Sequence, residues 1–135
     1  MPLEAIPPGS PADRLRRTTS DLELARKGRL PNVALEDLCF HAQQAAEKAF
    51  KVVLVSLDQE FPKTHSIRRL LLILSQRMKS ESSLYDLAPL TEYASATRYP
   101  GPREPVGEEE YQRALVLATR AVDWARSVLG LKQEA

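Results

Sequence analysis

The stretch NVALEDLCFHAQQAAEKAFKVVLVSLDQ, residues 32–59, decides the fold because apolar and small side chains line one face of it at helical spacing. The residues on this face are Leu35, Leu38, Ala42, Ala45, Ala49, Val53 and Leu57. Asn32 is a favourable N-cap residue, so we predict a central helix from Asn32 to Gln59. Alanines between the larger residues would allow another helix to approach closely.

Four further segments are predicted to be helical. They run from about Ala12 to Lys27, from Ile67 to Met78, from Ser82 to Tyr99 with a restart near Pro89, and from Glu108 to Leu129 with Gly107 as the N-cap. No segment shows the alternation of a strand, and the connections are short, which favours antiparallel neighbours. We therefore predict an all-α, up-and-down four-helix bundle with a short accessory helix. Its domain would span 12–130, after a flexible leader at 1–11 and before a tail at 131–135.

Composition limits the possible functions. The 135 residues fit one domain, and 19 basic against 18 acidic residues leave a net charge of +1, so any site for a polyanion must be local. No apolar run is long enough to span a bilayer, and the N-terminus lacks the pattern of a signal peptide. The chain has one cysteine, Cys39, and two histidines, so it can form neither an internal disulfide nor a cysteine-rich zinc site. We expect a cytoplasmic protein without a metal or cofactor.

Positive charge is concentrated in two places. The central helix has a polar stripe formed by His41, Gln44, Lys48 and Lys51. Beside this stripe lies the i, i+4 pair of Gln43 and Glu47. The segment 63–79 contains basic but no acidic residues, among them Lys63 and His65. Either set can be a solvated helix face or a phosphate site, and His65 can also act as a helix cap. Cys39 lies between apolar residues and is expected to be buried rather than nucleophilic.

Three stretches resemble the signature stretches of HEPN domains, the helical domains named for higher eukaryotes and prokaryotes nucleotide-binding. They are FHAQQAAEKAFK at 40–51, FPKTHS at 61–66 and ATRYP at 96–100. The resemblance implies a helical bundle that commonly dimerises and is encoded beside a minimal nucleotidyltransferase, often as a toxin-antitoxin-like pair. Many such proteins are metal-independent ribonucleases with an Arg four to six residues before a His. No Arg has that spacing from His41 or His65 here.

The resemblance therefore favours a non-catalytic HEPN homodimer that works with a separately encoded minimal nucleotidyltransferase and holds the phosphate of a nucleotide or RNA. The predicted phosphate-binding residues are Gln44, Lys48, Lys51, Lys63, His65, Arg98 and Tyr99. Lys and Arg would neutralise phosphate charge, and Tyr99 would stack on a base. Two alternatives remain open: a ribonuclease that uses His65 with a displaced Arg, and a structural dimeric adaptor without a ligand.

Overall fold

The fold is a bundle of helices around one central helix. The structure is a computed structural model that describes residues 6–28, 30–79, 82–94 and 105–130, and every regular element in these ranges is helical. The elements are α1 (Pro11–Ala25), α2 (Leu35–Ser56), α3 (Ile67–Ser75), a 3₁₀ helix (Ser82–Ala94) and α4 (Glu108–Val128). The predicted leader and tail lie partly or wholly outside these ranges, at residues 1–5 and 131–135.

Helix α1 begins close to the predicted position. The Ser10 side chain accepts a hydrogen bond from the backbone N–H of Asp13, and Pro11 fills the first turn, where a missing N–H costs nothing. Gly28 follows the helix with a φ of 74°, a left-handed conformation that glycine adopts without strain. The sequence signals for both ends of α1 are therefore confirmed within two residues.

Helix α2 is shorter than predicted at both ends. Its N-cap is Ala34, which makes no side-chain cap bond, and Asn32 instead has a φ of 64° in the preceding turn. The prediction of Asn32 as the N-cap is wrong because Asn also tolerates left-handed turn positions. At the other end the helix stops at Ser56, and Asp58 takes a φ of 54° in the turn that follows.

Helix α2 lies at the centre and packs against every other described helix. Its alanines at 42, 45, 46 and 49 are fully buried, so the small-residue face is covered within the chain. Asp21 of α1 contacts His41, while α1 residues nearer its start lie beside Lys48 and Lys51, so α1 and α2 are antiparallel. The segment before α4 bonds to Glu36, and Trp124 contacts Phe50, so α4 runs parallel to α2.

Helix α3 also runs parallel to α2, contrary to the expectation that short connections make neighbours antiparallel. The chain after α2 turns back along it, which brings His65 beside Glu47 before α3 begins. After α3, Arg77 donates hydrogen bonds to the Gln59 side chain and to the Leu57 carbonyl, at the far end of α2. The connection between α2 and α3, residues 57–66, is long enough for the chain to reverse in this way.

The 3₁₀ helix replaces the predicted helix with a restart at Pro89. It continues through Pro89 from Ser82 to Ala94, and the rest of the predicted segment, through Tyr99, lies outside the described residues. A proline ring clashes with the carbonyl of residue i−4 in an α-helix, whereas a 3₁₀ helix winds through i to i+3 bonds and meets this clash less severely. The helix runs antiparallel to α4, since Ser83 contacts Arg120 and Tyr93 contacts Glu110.

Helix α4 starts as predicted. Gly107 is the N-cap, three glutamates occupy the first turn, and Gly130 follows the helix with a φ of 74°. Helices α1, α2, the 3₁₀ helix and α4 alternate in direction, and α3 is the short additional helix. The predicted fold class, an all-α bundle with an accessory helix, is confirmed.

Candidate functional site

Two arginines of α1 and two lysines of α2 meet in one cleft. Arg14, Arg17, Lys48 and Lys51 line this space of about 200 Å³, which we call the cationic cleft. Residues three apart lie on the same face of a helix, so each helix contributes a matched pair of cations. The antiparallel packing of α1 on α2 turns both pairs toward each other.

Buried Asp21 positions the first lysine. Its Oδ2 lies 2.5 Å from Lys48 Nζ, and its Oδ1 lies 3.1 Å from His41 Nδ1. An ionised carboxylate only accepts hydrogen bonds, so this contact places the hydrogen of the His41 ring on Nδ1. The ammonium of Lys48 has three N–H groups and gives one to Asp21, which leaves two for another acceptor.

Buried Glu47 positions the second lysine in the same way. Its Oε2 accepts a hydrogen bond from Lys51 Nζ at 2.8 Å, and its Oε1 accepts from Gln43 Nε2 at 3.0 Å. His65 Nδ1 also lies 2.9 Å from Oε1. The Glu47 side chain is 4% exposed and that of His65 is 67% exposed, so the ring is held at Nδ1 while its other side faces solvent.

These contacts determine the charge of Glu47. Burial raises the pKa of the carboxyl group, but hydrogen bonds from Lys51, Gln43 and His65 together outweigh burial and leave the pKa below its ordinary value. Glu47 is therefore ionised at neutral pH. Lys51 Nζ additionally lies 5.8 Å from the centroid of the Phe61 ring, within cation–π range.

The arginines are held more loosely. Arg14 Nε donates to the Gly9 carbonyl at 3.0 Å, and within the described part of the chain no acidic side chain forms an ion pair with Arg14. Arg17 Nε lies 3.9 Å from Asp13, and its side chain is 67% exposed. The pKa of the Asp13 carboxyl lies below its ordinary value. The main cause is a hydrogen bond from the Gly9 N–H, and the second is a hydrogen bond from Arg16. Both guanidinium groups keep N–H donors for an anion in the cleft.

The structure brings together some of the seven residues predicted from sequence. Lys48 and Lys51 share the cationic cleft, and His65 is linked to Lys51 through Glu47. Gln44 donates to the Gln43 side chain at 2.9 Å and so joins the same network.

Of the remaining predicted residues, only Lys63 lies in the described part of the chain. Lys63 is exposed in the connection before α3, and no contact with the cleft is seen for it in the described residues. Arg98 and Tyr99 lie outside the described residues. The interpretation of His65 as a helix cap is wrong, because Ser66 is the N-cap of α3 and accepts from the Arg69 N–H.

Arg14, Arg17 and Asp21 were missed by the sequence reasoning. They recur at i, i+3 and i+7 along α1, which is the same periodicity that identified the polar stripe of α2. The polar periodicity of α1 is therefore visible in the sequence. Its meaning depended on α1 packing antiparallel against α2, which the periodicity of α1 does not show.

A second, larger cavity of about 610 Å³ lies between the 3₁₀ helix and the start of α4. Its polar lining is mainly acidic, with Glu92, Glu109 and Glu110 against Arg113. The Tyr93 hydroxyl donates to Glu110, and burial together with this acidic partner raises the pKa of Tyr93. Such a lining does not favour phosphate, so the cationic cleft is the better candidate for an anion.

The described ranges contain neither a cluster of metal ligands nor a membrane-spanning helix. These residues contain no group of three His, Cys, Asp or Glu side chains placed to hold a metal ion. Among the same residues, no helix has the length and apolar character needed to cross a bilayer.

The fold and the cleft define a small all-α bundle with a local cationic site on its central helix. The sequence profile of the HEPN domain matches residues 12–128, which is most of the chain, and the protein belongs to the HEPN domain family. The family assignment made from the three signature stretches is thus confirmed. No curated protein and no solved structure matched the chain.

Proposed function

We propose that this HEPN protein binds the phosphate of a nucleotide or of RNA in the cationic cleft and does not cleave RNA. The observation that carries the proposal is the convergence of Arg14, Arg17, Lys48 and Lys51 on one cleft in a chain of net charge +1. Lysine and arginine are the side chains that recognise phosphate through charge-assisted hydrogen bonds.

Titration of the protein with nucleotides and short RNA at low salt tests this proposal. We expect Arg17→Ala to weaken binding by about 1.5–3 kcal/mol, the range for a hydrogen bond to a charged group. Arg68→Ala is the matched control, because Arg68 is an exposed arginine on α3 outside the cleft. Equal loss in both variants would indicate general electrostatic attraction, and no binding to the intact protein would leave the adaptor alternative.

The proposed partners are a second copy of the chain and a separately encoded minimal nucleotidyltransferase, as in a toxin-antitoxin-like pair. The alanine face of α2 does not support a dimer seam, since its alanines are fully buried within the chain. Better candidates for the seam are the exposed side chains of Leu24, Leu30 and Val33, near the turn between α1 and α2.

A solution mass near twice 15.1 kDa would support the homodimer. A nucleotidyltransferase gene beside this one would support the pair.

The competing function is a metal-independent ribonuclease, and one contact favours it. Glu47 holds His65 at Nδ1, so the Nε2 side of an exposed ring is available for proton transfer to or from a 2'-hydroxyl. The absence of an Arg four to six residues before His65 argues against this activity. RNA cleavage that disappears in His65→Ala, with unchanged circular dichroism, would establish the ribonuclease and refute the non-catalytic proposal.

A further inference from the structure

The cationic cleft has a composition and a size that select one part of a nucleotide. Among the described residues its lining is two arginines and two lysines, and none of these four side chains is an aromatic ring or an amide that would read a base. Pockets that enclose a drug-sized ligand typically measure about 300–1,000 Å³. A cleft of about 200 Å³ is therefore too small to enclose a base and sugar together with their phosphates.

The N–H donors around the cleft favour a ligand with several phosphate groups. Four cationic side chains line it, and carboxylates pair with three of them: Asp13 with Arg17, Asp21 with Lys48, and Glu47 with Lys51. Each lysine is fixed by its carboxylate and still has N–H groups to donate, and the arginines lie opposite on α1. A chain of two or three phosphates offers acceptor oxygens to donors on both helices at once.

The Phe61 ring, which contacts Lys51, is already covered by that lysine. Phe61 is partly buried, and Lys51 Nζ lies over its ring at 5.8 Å from the centroid. Lys51 thus occupies a position over the ring where a base would stack. The described residues around the cleft provide charge without a platform for base recognition.

From these observations we infer that the cleft binds the di- or triphosphate chain of its ligand and leaves the base outside, so that affinity depends on the number of phosphates and not on the base. The inference rests on the proposed function and narrows it. Inorganic tripolyphosphate has the phosphate chain of a nucleoside triphosphate without its base or sugar, so it is the direct probe of this site.

Calorimetric titration of the full chain at low salt tests the inference. The ligands are inorganic phosphate, pyrophosphate, tripolyphosphate, ATP, CTP and adenosine. We expect ATP, CTP and tripolyphosphate to bind within about threefold of one another, pyrophosphate to bind more weakly, and phosphate and adenosine to bind weakest. Arg14→Ala should weaken ATP and tripolyphosphate by the same factor, about tenfold or more, while Arg68→Ala leaves both unchanged.

The possible failures are distinguishable. If ATP binds but CTP or tripolyphosphate binds more than about tenfold more weakly, the base or the sugar is recognised and the inference is overturned, while the proposed function stands. The same holds if short RNA binds and tripolyphosphate does not displace it. If neither the phosphate compounds nor RNA bind the intact protein, the proposed function itself is refuted. Circular dichroism of Arg14→Ala confirms that a loss of binding is not a loss of fold.

Discussion

Glu47 is the residue through which the core and the cationic cleft are connected. Its carboxylate is nearly inaccessible, yet it accepts hydrogen bonds from Lys51, Gln43 and His65. A buried carboxylate without partners would be strongly destabilising, so these contacts are what permit a charge at this depth. The same contacts hold Lys51 where it lines the cleft, so the stability of the bundle and the geometry of the site share one side chain.

Replacement of Glu47 should reveal its contribution through pH. Because the folded-state pKa lies below the ordinary value of about 4.3, the ionised form stabilises the fold at neutral pH, and this contribution is lost as pH falls through the lowered value. We expect Glu47→Gln to reduce the free energy of unfolding by about 1–3 kcal/mol near neutral pH, with a smaller deficit in acid. Urea denaturation across this pH range measures both quantities.

Glu23→Gln is the control for this prediction, because Glu23 is an exposed acid of α1 paired only with Arg26 in the described residues. Its effect should be within about 0.5 kcal/mol at any pH. A deficit in Glu47→Gln that stays constant from neutral to acidic pH would contradict the role assigned to the Glu47 charge.

At the scale of the element, helix α2 combines a polar face with a core face made of small residues. The four alanines at 42, 45, 46 and 49 are fully buried, and their small side chains allow neighbouring helices to pack closely against α2. Close approach of α1 is also what brings its arginines to the lysines of α2. The alanine face therefore serves the site as well as the core.

Enlarging one of these alanines should disturb the packing. Ala45 is fully buried, so Ala45→Leu adds three heavy atoms where no space is available, and we expect a loss of about 1–3 kcal/mol in the free energy of unfolding. The same change at exposed Ala12 of α1 is the control and should be nearly neutral. Chemical denaturation of both variants measures the difference, and equal stability would show that the face is not tightly packed.

Sequence periodicity was sufficient for α2 and α4 because their stripes and the Gly107 cap are local signals. It was insufficient at Asn32, whose side chain suits both a cap and a left-handed turn, and at α3, whose direction depends on how residues 57–66 fold back. The same limit applies to the site. Lys48 and Lys51 were found from one helix, whereas their partners on α1 follow only from the packing of two helices.

At the scale of the whole molecule, Tyr111 joins the first helix to the last. Its hydroxyl donates to the Ala25 carbonyl at 2.5 Å and accepts from the Gly28 N–H at 3.1 Å, across more than 80 residues of sequence. Burial raises the pKa of Tyr111, so the hydroxyl keeps its hydrogen at neutral pH and can donate it. Ala25 ends α1, where helix carbonyls lack partners within the helix.

Removing this hydroxyl should therefore weaken the closure of the bundle. Tyr111→Phe keeps the ring in the core but leaves the Ala25 carbonyl and the Gly28 N–H without this partner, and we expect a loss of about 1–3 kcal/mol in the free energy of unfolding. Tyr85→Phe is the control, since Tyr85 is partly buried and its hydroxyl makes no hydrogen bond seen in the described residues. Equal denaturation midpoints for the two variants would show that water replaces the Tyr111 contacts without cost. A lower midpoint for Tyr111→Phe alone would show that a single hydroxyl holds α1 against α4. Helix α1 also supplies Arg14 and Arg17 to the cationic cleft, so this contact would support the site as well.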